Sequence, residues 1–191
     1  MPRIIAGKAR GTPLVAPHGQ DTRPTSDKAK EALFSILALR LPNARVLDLF
    51  AGTGQIGLEA LSRGASEAVL VENSRDALQA IRSNLTKTRL GDGCRILPME
   101  AAKALALLRQ ESRPFDIVFL DPPYAIAADS LLKLAPLLSD GLLTENATVI
   151  LEHDSRTAPP INVTNLQFAR SCKYGTAMLS FYQYPTVKSP E

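Results

Sequence analysis

The sequence predicts an α/β protein with a Rossmann-like, doubly wound and mostly parallel sheet. Three observations support this fold class. Short apolar strands alternate with amphipathic helices from residue 45 onward, a glycine-rich turn joins the first of these strands to a helix, and two strand-like runs near the C-terminus have no helix between them. Alternating strands and helices build a parallel sheet through right-handed crossovers, whereas the final pair predicts an antiparallel hairpin at one end of the sheet.

The elements of this alternation are short and apolar, as expected for strands that helices cover on both faces. The predicted strands are 45–50, 68–72, 94–97, 115–120 and 148–152. Helices fit between them because apolar residues recur there at helical spacing, at 55–63, 75–89, 101–110 and 128–138. The C-terminal hairpin is predicted from 166–172 and 177–184, around Tyr174 and Gly175.

The N-terminal segment precedes the alternation and has a different character. Residues 3–16 alternate weakly around two glycines, which predicts a small β-hairpin, and residues 17–25 are polar and proline-rich, which predicts a loop. Ser26 is placed to cap a helix that runs from Asp27 to about Leu41. We therefore expect a hairpin arm at 1–25, a single domain at 26–184, and a polar, disordered tail at 185–191.

The net positive charge is concentrated in this arm. The whole chain carries a formal net charge of +3, while residues 1–30 alone hold six basic and two acidic side chains. An exposed, solvated arm and an electrostatic footprint for nucleic-acid phosphates both explain this bias, and charge alone favours neither. If the arm contacts phosphates, the candidate side chains are Arg3, Lys8, Arg10 and Arg23.

Composition argues against several classes of protein. No apolar run approaches the ~20 residues that span a bilayer, and the first residues lack the apolar stretch of a signal peptide, so we expect a cytoplasmic protein without a membrane partner. Cys94 and Cys172 are far apart in sequence, and the chain has two histidines. These numbers are too small for a disulfide framework, and we expect no metal.

The turn after the first strand matches a nucleotide-binding fingerprint. Gly52-Thr53-Gly54-Gln55-Ile56-Gly57 fits the pattern G-x-G-x-x-G, and Glu72 ends the next strand about 20 residues later, where a ribose hydroxyl would be held. NAD and S-adenosylmethionine both suit this fingerprint. Asp48 favours S-adenosylmethionine, because a carboxylate beside the glycines would repel a pyrophosphate and attract a sulfonium or ammonium group. A NAD-dependent oxidoreductase stays open, although the chain has no room for the usual second catalytic domain.

A second motif, Asp121-Pro122-Pro123-Tyr124, follows the fourth predicted strand. Ligands of open α/β sheets bind beyond the carboxyl ends of the strands, so we expect Asp48 and Asp121 to flank one crevice. The prolines stiffen the loop and remove backbone donors, which leaves the Asp121 carboxylate and carbonyl oxygens as acceptors for an exocyclic amine. Tyr124 could stack on the base that carries this amine. The alternative is a rigid structural corner with a packed tyrosine.

These motifs carry a resemblance to a known family. The loop at 121–124 resembles motif IV of the methyltransferases that modify amino groups of adenine, cytosine, guanine or glutamine. From residue 3 to about residue 184 the chain resembles the RsmD-type bacterial methyltransferases, which methylate guanine N2 in 16S ribosomal RNA. The segments that carry the resemblance are 3–7, 22–27, 31–34, 46–54, 57–65, 121–124 and 173–175.

The resemblance implies a class I methyltransferase fold, S-adenosylmethionine as the cofactor, and 16S ribosomal RNA as the partner, within a small subunit or its assembly intermediate. It also implies residue roles. The base would be received by Asp121, Pro122, Pro123 and Tyr124. The cofactor would be held by Asp48, Phe50, Gly52, Gly54, Glu72 and Glu100, with Thr25 near its methionine end. We expect a monomer.

Three further alternatives stay open. A DNA adenine-N6 methyltransferase shares both motifs, but such enzymes usually add a target-recognition region, and this chain has no unassigned block of that size. A protein-glutamine methyltransferase usually has Asn at the first position of the loop, where this chain has Asp121. A nucleic-acid-binding module without activity would have no need of Asp48, Glu72 and an intact loop at 121–124.

Overall fold

A computed structural model describes residues 2–16 and 27–185. The chain divides into two compact units, Met1–Ala101 and Ala102–Glu191. Within the described residues, no helix is both long and apolar enough to cross a membrane. The same part of the chain contains no group of three or more His, Cys, Asp or Glu side chains arranged to hold a metal ion.

The first unit contains a three-stranded parallel sheet in the order β3-β2-β1. The strands β1 and β2 are largely buried, whereas in β3 only Leu97 is buried, and the burial of apolar side chains stabilises the sheet. The strands are β1 (Arg45–Asp48), β2 (Glu67–Val71) and β3 (Cys94–Leu97), and the helices of this unit are α1 (Asp27–Ile36), α2 (Gln55–Ser62) and α3 (Arg75–Thr88). All three strands run in the same direction, so the residues that follow them lie at one edge of the sheet.

The second unit combines one parallel strand pair with a C-terminal antiparallel meander. The strand β4 pairs parallel with β5, and β5, β8, β7 and β6 then follow in antiparallel order. A two-residue loop with Gly175 at φ 63° joins β7 to β8. The elements are α4 (Ala101–Arg109), β4 (Phe115–Leu120), α5 (Ala127–Leu138), β5 (Leu143–Asp154), β6 (Asn162–Val163), β7 (Leu166–Tyr174) and β8 (Ala177–Gln183).

The predicted strands and helices are confirmed to within a few residues at their ends, with three exceptions. The first helix ends at Ile36 instead of about Leu41. Residues 37–40 form turns instead, because Pro42 has no N–H to bond the Ala38 carbonyl and its ring would clash with that carbonyl in a continuing helix. Leu39 is fully exposed. The strand β5 is longer than predicted, since Leu143 already pairs with Phe115, and the two-residue strand β6 was not predicted.

The described part of the N-terminal arm is held against α2. The predicted hairpin is reduced to one antiparallel bridge between Arg3 and Pro13. Ile4 and Leu14 are buried in a cluster with Leu58 of α2. The position of Gly7 allows no side chain, because a Cβ there would lie 1.8 Å from a backbone oxygen of α2. The boundary predicted between residues 25 and 26, and the proposed cap at Ser26, lie outside the described residues.

Candidate active site

Three glycines shape the turn from β1 to α2, each for a different reason. Gly52 and Gly54 have φ angles of 53° and 77°, in the region that favours glycine. The space beside Gly52 is open among the described residues, so a ligand can approach its backbone. A Cβ on Gly57 would lie 2.2 Å from Leu70 Cδ2, so this glycine allows α2 to pack closely on β2. The close packing at Gly57 is the role that the fingerprint assigns to its third glycine.

Asp48 ends β1 immediately before this turn and is 1% exposed. Neither of its carboxylate oxygens has a hydrogen-bond partner among the described residues. Burial raises its pKa to about 7, and the negative Glu72 adds to the rise. The backbone N–H groups of Gly57 and Phe50 lower the pKa, although neither forms a hydrogen bond of standard geometry with the carboxylate. A buried carboxylate without a partner is costly unless a cationic ligand compensates it.

Glu72 follows β2 and braces the glycine turn. Its Oε2 accepts a hydrogen bond from the backbone N–H of Gly52 at 2.8 Å. Its Oε1 accepts hydrogen bonds from the N–H groups of Asn73 and Ser74, each at 2.8 Å. Carboxylate oxygens have further lone pairs, so Glu72 can still accept from a ribose hydroxyl. The sequence predicted the ribose contact only, and the bracing of the turn is an additional role.

The remaining predicted cofactor residues differ in how the structure places them. Glu100 is exposed and directly precedes α4, after β3. Asp48, Glu72 and Glu100 thus stand at or after the carboxyl ends of three adjacent parallel strands, which is one edge of the sheet. Phe50 is half-buried in the glycine turn. Thr25 and Arg23 lie outside the described residues.

Asn84 is a site residue that the sequence analysis missed. It is fully buried on α3, and its Nδ2 donates to the carbonyl oxygen of Thr53 in the glycine turn at 3.0 Å. The same amide pairs with the backbone of Val15, donating at 3.1 Å and accepting at 2.7 Å. Asn84 therefore ties the N-terminal arm to the cofactor turn. Its position in the apolar stripe of α3, three residues after Ile81, was the available signal.

A buried ion-pair cluster fixes the arm on α2, and it too was missed. The Glu59 carboxylate, fully buried, accepts hydrogen bonds from the N–H groups of Ile5 and Ala6 at 2.7 and 3.0 Å. Lys30 Nζ lies 4.0 Å from this carboxylate and donates to the Arg3 carbonyl at 2.5 Å. Burial lowers the pKa of Lys30, while the nearby Glu59 opposes that effect. Because each charge has a partner, the cluster anchors the arm instead of destabilising it.

The basic side chains of the arm differ in their surroundings. The Arg3 guanidinium pairs with Asp27 at 3.1 Å on the surface, so its charge is partly neutralised. Lys8 and Arg10 are exposed. Of the three arm residues predicted to contact phosphates that the structure describes, Lys8 and Arg10 are therefore better placed than Arg3.

The loop Asp121–Tyr124 belongs to the second unit and follows β4 directly. Pro122 is buried and Pro123 exposed, while Asp121 and Tyr124 are half-buried. Tyr124 begins a short 3-10 turn in which the Ile126 N–H donates to the Pro123 carbonyl at 2.9 Å. The Tyr124 hydroxyl donates to the Glu152 carboxylate at 3.3 Å, so the ring is tied to the neighbouring strand β5. The sequence analysis did not anticipate this role of Glu152.

The residues around the glycine turn fit an adenosyl ligand that carries positive charge. Among the described residues, Asp48 offers a buried carboxylate without a hydrogen-bond partner, Gly52 offers open space, and Glu72 offers acceptors for a ribose. A ligand with a pyrophosphate would meet the Asp48 carboxylate instead, at a cost. The described residues therefore favour S-adenosylmethionine over NAD, as the sequence predicted.

A family model described as "Conserved hypothetical protein 95", which is the RsmD family, matches residues 2–183. The chain belongs to this family. It is 36% identical over 182 residues to Ribosomal RNA small subunit methyltransferase D of Escherichia coli K12, which covers 95% of this chain and 89% of that protein. The resemblance drawn from the sequence motifs is confirmed.

Solved structures support the fold class. The structure of yhhF from Escherichia coli aligns with a TM-score of 0.81 at 36% identity, covering 96% of this chain and 97% of that one. An RNA methyltransferase from Salinibacter ruber, solved with S-adenosyl-L-homocysteine, aligns with a TM-score of 0.64 at 19% identity, covering 88% and 97%. At that identity the second comparison bears on the fold alone. The fold is that of the class I methyltransferases, as predicted.

Proposed function

We propose that this protein is an S-adenosylmethionine-dependent methyltransferase that modifies the exocyclic N2 amine of a guanine in 16S ribosomal RNA. The observation that carries the proposal is the buried, unpartnered Asp48 carboxylate beside an open glycine turn, in a chain that also places Asp-Pro-Pro-Tyr after β4. Relatives named as ribosomal RNA small subunit methyltransferases support the RNA substrate. The substrate would be a small subunit or its assembly intermediate in the cytoplasm, and the enzyme would act as a monomer.

The first unit would hold the cofactor. When bound, S-adenosylmethionine would supply an activated methyl group on a cationic sulfur, which becomes a neutral thioether when the methyl group is transferred. The Asp48 carboxylate would compensate the positive charge of the methionine part. Glu72 would accept from the ribose hydroxyls while its bond to the Gly52 N–H keeps the turn in place. Phe50, Gly54, Glu100 and Thr25 complete the proposed set.

The loop of the second unit would hold the base. An exocyclic amine is a weak nucleophile because its lone pair is delocalised into the ring. Hydrogen bonds from its N–H groups to the Asp121 carboxylate and the Pro122 carbonyl would orient it and offset the positive charge that develops on nitrogen. The nitrogen loses one proton as the new bond forms, to Asp121 or to water. Tyr124 would stack on the base, which recovers part of the cost of unstacking it from the RNA.

The N-terminal arm would contribute to RNA binding. Lys8 and Arg10 would contact phosphates, with smaller contributions from Arg3 and Arg23. The arm is attached to α2 by Glu59, and α2 starts at the cofactor turn. The RNA phosphates would thus contact an arm that is held in a fixed position on α2.

The proposal is tested by the modified nucleosides of ribosomal RNA from a strain that lacks the gene. Mass spectrometry should show the loss of one N2-methylguanosine from small-subunit RNA, restored by the parent gene and by the control Asp129→Ala, whose side chain is exposed on α5. The variant Asp121→Ala should fail to restore it. An unchanged nucleoside profile would contradict the proposal, and a loss of N6-methyladenine from DNA would favour the alternative.

A further inference from the structure

Glu152 is a buried acidic residue near the carboxyl end of β5, two residues before the strand ends. It is 3% exposed, and the three residues before it on β5, Val149, Ile150 and Leu151, are completely buried. An acidic side chain in such a position is costly unless polar partners compensate it. The hydroxyl of Tyr124 is one such partner, at 3.3 Å. This contact places Glu152 against the loop that is proposed to receive the base.

Glu152 also stands level with Asp121. The strands β4 and β5 are parallel, and Leu120 is paired with Leu151, so the next residue on each chain is Asp121 and Glu152 respectively. Neighbouring strands lie ~4.8 Å apart, and side chains at paired positions point to the same face. The two acidic residues therefore occupy adjacent positions, Asp121 directly after β4 and Glu152 near the carboxyl end of β5, and Tyr124 contacts Glu152.

Two adjacent acceptors match the edge of one base. Guanine presents its N2 amine and its N1–H side by side, so both neighbouring positions are donors. Adenine presents its N6 amine beside an unprotonated N1, and cytosine presents its N4 amine beside an unprotonated N3, so in both bases the second position is an acceptor. A carboxylate facing that acceptor would be repelled and left without a partner, which is how binding sites reject near-isosteric substrates.

We propose that Glu152 is the residue that selects guanine, by accepting a hydrogen bond from N1–H while Asp121 and the Pro122 carbonyl hold the N2 amine. The proposal rests on the proposed function, because it assigns a role within the same base site. The hydrogen bond from the Tyr124 hydroxyl to Glu152 would then orient both the carboxylate and the stacking ring.

The test uses a base that keeps the amine and lacks the neighbouring donor. In 2-aminopurine the N2 amine is present, while N1 is an unprotonated acceptor. After the modified guanine has been mapped, small subunits are reconstituted with RNA that carries either guanine or 2-aminopurine at that position. Methyl transfer is measured as kcat/KM for both substrates. The parent enzyme should prefer guanine by about 100-fold or more.

The variant Glu152→Gln reverses the hydrogen-bonding character of one terminal atom. Its amide can donate to N1 of 2-aminopurine and still accept from Tyr124, so the preference for guanine should fall below about tenfold. The matched control is Glu145→Gln, an exposed residue of the same strand, which should keep the preference of the parent. A change in thermal stability alone would lower both rates together and would not change their ratio.

A parent enzyme that methylates 2-aminopurine as well as guanine overturns the role of Glu152 without any variant. An unchanged ratio in Glu152→Gln overturns it as well. If the parent enzyme transfers no methyl group to the guanine substrate, the proposed function has failed, and that result is distinct from either of the first two.

Discussion

The affinity for S-adenosylhomocysteine, the demethylated cofactor, should rise about tenfold between pH 6 and pH 8. Asp48 is the cause, because burial raises its pKa to about 7 and only its ionised form attracts the ammonium group of the ligand. A carboxyl with this pKa is about 10% ionised at pH 6 and about 90% ionised at pH 8, and apparent affinity scales with that fraction. Isothermal titration calorimetry in buffers of different ionisation heat would measure both the affinity and the proton released on binding.

The control is Asp48→Asn, which has a similar shape and no charge to lose. It should bind weakly, and its affinity should not rise from pH 6 to pH 8. The amino group of the ligand itself begins to lose its proton near pH 8, which weakens binding to both proteins, so the tenfold rise is measured as the ratio of parent affinity to variant affinity. A parent protein whose affinity does not depend on pH, or a variant with the same pH profile as the parent, would contradict the role assigned to Asp48.

The same shift has an opposite consequence for the ligand-free protein. Because the folded pKa of Asp48 lies above its unfolded value of 3.8, the folded state binds this proton more tightly. The resulting stabilisation is present below about pH 4 and is lost as the pH rises to about 7. A shift of about three units corresponds to at most about 4 kcal/mol. In thermal denaturation without ligand, Asp48→Asn should therefore raise Tm more at pH 8 than at pH 4, and an equal effect at both would contradict this.

Three further predictions concern the cofactor turn and the arm. Glu72→Ala should weaken S-adenosylhomocysteine binding by about 30-fold in calorimetry, since a ribose acceptor is lost and the Gly52 turn loses its brace; binding within twofold of the parent would contradict the assignment. Asn84→Ala should weaken the same binding by about tenfold, because its bond to the cofactor turn is lost. The control Ser62→Ala removes arm contacts without touching the turn and should leave binding unchanged. Equal effects of the two variants would contradict a specific role of Asn84 at the turn. Neutralising Lys8 and Arg10 together should reduce the slope of log affinity for RNA against log salt by about 2 without changing cofactor affinity. An unaltered slope would mean that neither side chain contacts a phosphate.

The parts of the fold that the sequence predicted depend on local pattern. The strands of the alternation are apolar runs bounded by polar turns, and Gly52, Gly54 and Gly57 occupy the positions that the fingerprint assigns to them. At the end of the first helix two local signals conflict, because the apolar periodicity continues to Leu41 whereas Pro42 has no N–H with which to continue the helix. Asp48 was identified from its place beside the glycines, and the structure adds that its carboxylate is buried without a partner.

The parts that could not be predicted depend on contacts between distant residues. Glu59 meets backbone N–H groups of the arm more than 50 positions away, and Asn84 meets Val15 across 69 positions. In the sequence Glu59 looks like a polar residue of an amphipathic helix, and the position of Asn84 in the apolar stripe of α3 indicates burial but not its partners. Glu152 is similar, since its importance comes from the pairing of β5 with β4 and from the hydroxyl of Tyr124.

Single-turnover transfer of labelled methyl groups to small ribosomal subunits tests directly whether the Asp121–Tyr124 loop orients a guanine amine for methyl transfer. Asp121→Ala should reduce the rate by at least about 1000-fold while S-adenosylhomocysteine affinity stays within twofold of the parent, because the lost interaction is strongest in the transition state. Tyr124→Phe should cost less than about tenfold, since the ring face remains and the lost hydrogen bond is long at 3.3 Å, and Tyr124→Ala should cost more. If Asp121→Ala keeps most of its activity, the loop is only a structural corner and does not orient the amine.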